Sequence, residues 1–177
     1  PSCAPCWGKP GAFAESVGQA TDLTQVGECI LRILSEQLRL PKAAIWIREA
    51  NGEYHLLASL GHRTLAALPA SLPDNHALIT GLSDRLRLLR YDQASSSPAG
   101  SAMISIQAAV CLPLRNKTQF LGLCALGPIG TECHLDEDTV IIAETVARIA
   151  CNTLDHHLAQ DDLRRSSTLM RRTDRLR

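Results

Sequence analysis

Aromatic side chains are scarce here: two Trp, two Tyr and two Phe make up 3% of the chain. Any core must therefore be built mainly from Leu, Ile, Val and Ala. Net charge is missing as well, because 18 basic residues cancel 18 acidic ones. That balance argues against a nucleic-acid module, whose affinity rests on a concentrated basic face. No apolar run approaches the roughly 18–20 residues of a membrane span, and the opening PSCAPCWGKP lacks the apolar centre of a secretory leader. The signatures G-x-x-x-x-G-K-[ST], G-x-G-x-x-G after a strand, H-E-x-x-H and G-x-S-x-G are all absent. With them go the common nucleotide, zinc-protease and hydrolase readings.

Cysteine, by contrast, is plentiful at seven. An odd count without regular spacing argues against a disulfide framework. Cys29, Cys111, Cys124 and Cys151 each interrupt an apolar-patterned helix or strand, where Cys behaves as a small hydrophobe. The expectation is a reduced, cytoplasmic protein with free, buried thiols. Cys3-x-x-Cys6 has no second pair, and Cys133-His134 is the one neighbouring Cys-His couple. No metal site is expected from them.

A hydrophobic content of 45% over 177 residues allows one domain with extensions. Residues 1–20 read as a leader with a short helix from Phe13 to Ala20. Thr21-Asp22 should cap a helix over Leu23–Leu40, whose Leu23, Val26, Ile30, Ile33, Leu34 and Leu38 form one stripe, and Pro41 should end it. Ala43–Glu49 and Glu53–Leu60 flank Asn51-Gly52, a strong hairpin signal. Between residues 61 and 107 the pattern weakens. Pro73-Asp74-Asn75-His76 opens a short helix ending at Gly81, Leu86–Tyr91 alternates like a strand, Asp92–Gly100 is a polar loop and Ser101–Gln107 a helical turn.

The clearest stretch comes last. Ala108–Pro128 holds two apolar runs around RNKTQ, a hairpin pattern, and ends in the turn signal Gly127-Pro128. Asp136 is then a suitable N-cap, with Glu137 and Asp138 in the first turn and Leu135 placed to staple onto Val140. The helix that follows, Asp136–Leu158, carries one stripe of Val140, Ala143, Ala147, Ala150 and Leu154 beside another of Ile142, Val146 and Ile149. So wide an apolar surface suits two partners, its own sheet and something else.

Hairpin, turn and long helix resemble the last half of a GAF domain. The pattern V-x-x-P-L, loop, x-x-G-x-x-x-L-G-P is carried by Val110, Pro113, Leu114, Gly122, Leu126, Gly127 and Pro128. The helix–strand–NG–strand opening resembles that family too, extending the likeness over roughly Thr21–Leu158. It implies an α+β fold: a central antiparallel sheet of about five or six strands, both terminal helices on one face and a variable loop and helix segment over the other. It also implies residues 21–158 as the domain and 159–177 as the start of a signalling helix towards a missing output domain.

Known ligand signatures of such domains do not map here. The Asn-Lys of cyclic-nucleotide-binding members follows the last hairpin strand, whereas Asn116-Lys117 lies in the hairpin loop. The Cys-His pair of bilin-binding members precedes the penultimate strand, whereas Cys133-His134 follows the hairpin. Where haem-binding members place a proximal His, the nearest residue is Met103. No cofactor is assigned. Candidates for lining a pocket are Trp46, His62, His76, Tyr91, Met103 and Cys111, large apolar bodies with few polar tips, and each has ordinary core packing as its competing role. His156-His157 and Asp161-Asp162 suit a solvated helix face.

The resemblance points to a regulatory sensor domain that is not an enzyme: a cytoplasmic, bacterial-type module binding a small molecule or sensing redox state, with no membrane span. The excess of 15 arginines over three lysines suits a GC-rich bacterial genome. It would dimerise through Val146, Ile149, Leu154 and Leu158 and control a covalently linked diguanylate cyclase, histidine kinase or transcriptional activator. The alternatives are a ligand-free dimerisation module, marked by a sheet face filled with its own large side chains, and a cysteine-based methionine sulfoxide reductase.

Overall fold

The structure, a computed structural model, describes residues 22–61, 68–84, 87–127 and 137–174. The expected leader and short N-terminal helix, Thr21, Leu135 and Asp136 fall outside those residues. Helix α1 spans Leu23–Leu38. Asp22 takes the N-cap position by its backbone, its carbonyl accepting the Val26 N–H at 3.1 Å, while its side chain makes no capping bond. Arg39 ends the helix in the left-handed conformation at φ 52°, its N–H returning to the Ser35 carbonyl. Pro41 follows after Leu40 and cannot extend the helix.

Strands β1 (Lys42–Arg48), β2 (Tyr54–Leu60), β3 (Ser71–Leu72), β4 (Leu89–Arg90), β5 (Val110–Arg115) and β6 (Phe120–Gly127) form one sheet in the order β3-β2-β1-β6-β5-β4. Every pairing is antiparallel. Both edge strands are only two residues long, which leaves little exposed ladder for another chain to join. The Asn51-Gly52 hairpin forms as expected, with Gly52 at φ 87°. In the β5–β6 loop the Asn116 carboxamide oxygen accepts the N–H groups of Thr118 and Gln119 at 2.9 and 2.8 Å. Asn116 is therefore a turn residue.

On one sheet face α1 packs beside α5 (Glu137–Asp174), as the two apolar stripes predict. This core joins Val26, Ile30 and Leu34 of α1, Ile45 and Leu112 of the sheet, and Ala143, Ala147, Ala150 and Leu154 of α5. The other face is covered by three short helices: α2 (Ala77–Ser83), α3 (Tyr91–Ala94) and α4 (Pro98–Ser105). Here the structure corrects the sequence reading. The strand expected over Leu86–Tyr91 shrinks to Leu89–Arg90, and the supposed loop Asp92–Gly100 holds α3 and the start of α4. Ser97 caps α4 by accepting the Gly100 N–H at 3.3 Å, with Pro98 at the first helical position. Helix α2 likewise runs two residues past Gly81.

Candidate functional site

Alternation along the strands sends Ala44, Trp46, Cys111, Leu123 and Ala125 towards the three short helices. Those helices answer with Leu78, Ile79, Leu82, Ala94, Ala99 and Met103. The result is a filled layer. Trp46, Met103 and Cys111 share one core cluster and are each fully buried. The Trp46 indole N–H donates to the Pro69 carbonyl at 3.0 Å, so its one polar atom is satisfied inside the fold. Tyr91 is half-buried against the same cluster. His62 lies outside the described residues. His76 precedes α2, its Nδ1 accepting the Leu78 N–H at 3.3 Å. Burial lowers its pKa below the usual histidine value.

A concavity lined by described residues lies one layer further out. A groove of about 300 Å³ opens between α2, α3 and α4, lined by Ala77, Thr80, Gly81, Leu89, Gln93, Ala94, Ser97, Pro98 and Ala99. None of the six sequence candidates is among these. His76 and Tyr91 adjoin it in sequence, while Trp46 and Cys111 of the sheet and Met103 of α4 lie in the buried layer between sheet and short helices. Small side chains make the groove, and Gly81 is central to it: a Cβ there would stand 3.3 Å from the Ala99 Cβ. A lining of three Ala with single Gly, Ser, Thr, Pro, Leu and Gln residues carries no chemical signature. The only trace in the sequence is the run of small residues Ala94–Gly100 facing Ala77–Gly81. None of the nine lining residues is ionisable. The nearest ion pair, Arg90 Nε to Asp92 Oδ1 at 3.3 Å, is internally neutralised.

The thiols form no reactive set among the described residues. Cys29, Cys111, Cys124 and Cys151 are free and buried, as their apolar settings predict. Cys111 and Cys124 sit on neighbouring strands but belong to opposite sheet faces. Burial pushes the Cys111 thiol up to about 12 and the Cys124 thiol upward as well, so both stay protonated and poorly nucleophilic. No group of three or more metal-ligating side chains occurs among the described residues.

At the terminal helix, Val146 and Leu158 are half-buried against the core and Ile149 is 43% exposed. Leu154 corrects an expectation. It is wholly buried within its own chain, having turned onto the sheet side with Ala147 and Ala150, and has no surface left for a partner.

No family model matches the sequence, and no curated protein matches it. Solved structures do match. A GAF domain of a phosphoenolpyruvate-protein phosphotransferase from Coxiella burnetii is 20% identical, over 86% of this chain and 94% of that one, with a TM-score of 0.68. A methyl-accepting chemotaxis protein is 15% identical over 81% of this chain and 95% of that one, with a TM-score of 0.67. The second GAF domain of DevS from Mycobacterium smegmatis is 11% identical over 80% of this chain and 99% of its own, with a TM-score of 0.56. The chain therefore has the fold of a GAF domain, with the six-stranded antiparallel sheet and flanking helices that its sequence resemblance implied.

Proposed function

We propose that this chain is the regulatory sensor domain of a cytoplasmic bacterial signalling protein. In this reading the groove between α2, α3 and α4 takes a small molecule. The terminal helices hold the domain as a parallel homodimer, and α5 passes the bound state to a covalently linked output domain such as a diguanylate cyclase, histidine kinase or transcriptional activator. The similar structures from a chemotaxis protein and from a phosphotransferase support a signalling context.

The observation that carries the reading is the double-sided helix α5. At about 100° per residue, its buried Ala143, Ala147, Ala150 and Leu154 share one narrow arc. Ile141, Ile149 and Leu163 are 56%, 43% and 72% exposed, and they share an arc of about 80° on the opposite side. Three large aliphatic side chains in a row on solvent suit a second helix. A helix of 38 residues is about 57 Å long, and it runs about 24 Å past Leu158, which packs on the core and is the last to do so among the described side chains.

A ligand-free dimerisation module is the second reading, favoured by the complete burial of Trp46, Leu78, Leu82 and Met103 over the sheet face. Native mass spectrometry separates the two. The sensor reading expects a small molecule retained on the purified protein and lost from Thr80→Trp, a substitution of an exposed groove residue. Identical bare masses for both proteins would favour the ligand-free module. The reductase reading has no support in Cys111 and Cys124, which are buried, protonated and divided by the sheet.

A further inference from the structure

We infer that His156 makes the exposed seam of α5 proton-sensitive. A second copy of this chain docked in parallel brings two His156 rings into one core layer, and acidification drives the chains apart. This rests on the homodimer proposed above. The side chains that α5 buries, Ala143, Ala147, Ala150 and Leu154, fix which side of the helix faces its own sheet. On the opposite side Thr145, Ile149, Asn152, His156, Ala159 and Leu163 share an arc of about 80°. Thr145 is half-buried and the others are exposed. Their spacing alternates between four and three residues, the heptad of a coiled-coil seam. Ile149, His156 and Leu163 stand in one row along it, which drifts only about 20° per heptad. No fixed charge interrupts these positions, and Arg148 and Asp155 lie on the flanks. Such a row is complementary to its own copy, and a helix gains most of its stability from packing a face of this kind.

In a parallel pair each layer meets its own copy. Ile149 and Leu163 supply apolar layers, while Asn152 sets carboxamide against carboxamide, a polar layer of the sort that fixes register. Each His156 ring enters a hole formed by the second copy's Asn152, Asp155, His156 and Ala159. Neutral imidazoles fill that layer without charge. Protonated ones set two like charges opposite one another in a partly desolvated layer, so the pair binds fewer protons than the separate chains. A histidine ordinarily gains its charge near pH 6.5, and falling pH therefore favours the monomer. Asp155, on the wet flank, offsets part of the repulsion but leaves the two rings opposed. Within its own chain, His156 Nε2 lies 2.9 Å from Gln160 Nε2, an amide donor that a neutral ring nitrogen accepts. The His157 ring stands edge-on at 6.3 Å. Among the described residues no side chain of α1, β5 or β6, the elements packed on the other side of α5, forms an ion pair with His156.

Fluorescence-detected sedimentation of the labelled full chain at pH 8 and pH 5.5 tests this, with circular dichroism to verify the fold. The dimer dissociation constant should rise at least about tenfold at the lower pH. His156→Ile changes an exposed position to a side chain that suits this layer. It should dimerise at least as tightly as the unaltered chain, and equally at both pH values. A dissociation constant of the unaltered chain that is unchanged or lower at pH 5.5 would overturn the proton response and leave the homodimer standing. An equal loss of affinity in His156→Ile would do the same, by placing the titrating group elsewhere. A monomeric His156→Ile beside a dimeric unaltered chain would remove position 156 from the seam. A monomer at both pH values at tens of micromolar would overturn the homodimer reading, and this inference with it.

Discussion

Gly122 of β6 pairs with Ile47 of β1 at close approach: a Cβ added there would meet the Trp46 carbonyl oxygen at 2.0 Å and the Ile47 Cα at 3.1 Å. Neither is a flexible side-chain end, so the strands would have to separate. Gly122→Ala should therefore cost about 3 kcal/mol, at the upper end for overpacking, read as a drop in the urea midpoint at unchanged slope; a midpoint equal to that of the unaltered protein would contradict this close approach. The residue was legible in the sequence as part of the V-x-x-P-L…G pattern, and so were the thiols, since an apolar neighbourhood predicts a buried Cys directly. The pocket candidates were legible only as a class. The structure puts Trp46 and Cys111 on one sheet face and Cys124 on the other, and no sequence pattern says which face a strand residue takes or whether a buried Trp lines a cavity or fills it. Here the Pro69 carbonyl satisfies the indole and the Trp fills the layer.

Among the elements, the long periodic ones were read well and the short ones badly. Helix α1 and the two hairpins follow from stripe, alternation and turn residues. Helix α3 and the start of α4 escaped because Asp92–Gly100 is polar and small, and because a Ser-Pro cap was read as loop chemistry, whereas the rest of α4 was expected as the helical turn from Ser101. Helix α2 carries a prediction of its own. The elements packed on it bring little charge: none from α4 or β6, and from β5 only Arg115, which donates to the Ser83 carbonyl at 3.2 Å at the far end. Its cap needs His76 neutral, because a protonated Nδ1 cannot accept and an imidazolium opposes the helix dipole. With the folded-state pKa lowered, the unfolded chain takes up the proton first as pH falls. Stability from His76 is thus whole above about pH 6.5 and is lost as pH falls through the folded-state value. His76→Ser keeps a capping oxygen that does not titrate. It should narrow the difference in urea midpoint between pH 8 and pH 5 relative to the unaltered protein, and an unchanged difference would remove His76 from the pH response.

At the scale of the molecule, one sheet separates two apolar layers, with the terminal helices under one face and three short helices over the other. That division was legible because Leu23–Leu40 and the helix after Asp136 carry complementary stripes from opposite ends of the chain. The groove was not, since it arises from how small residues on three separate helices meet. The central claim is that α5 serves two partners, its own sheet through Ala147 and Leu154 and a second copy through the opposite face. Ile141 and Ile149 are the residues to change, being exposed and outside the core, whereas Val146 also packs inward and Leu154 is fully buried. The most direct measurement is multi-angle light scattering at tens of micromolar on the unaltered chain and on the Ile141→Glu, Ile149→Glu double variant, with circular dichroism to verify the fold. Two like-charged carboxylates facing their own copies across an apolar seam are strongly disfavoured, so the account predicts a dimer that becomes a folded monomer. A monomer from the unaltered chain, or a double variant that stays dimeric, would contradict it.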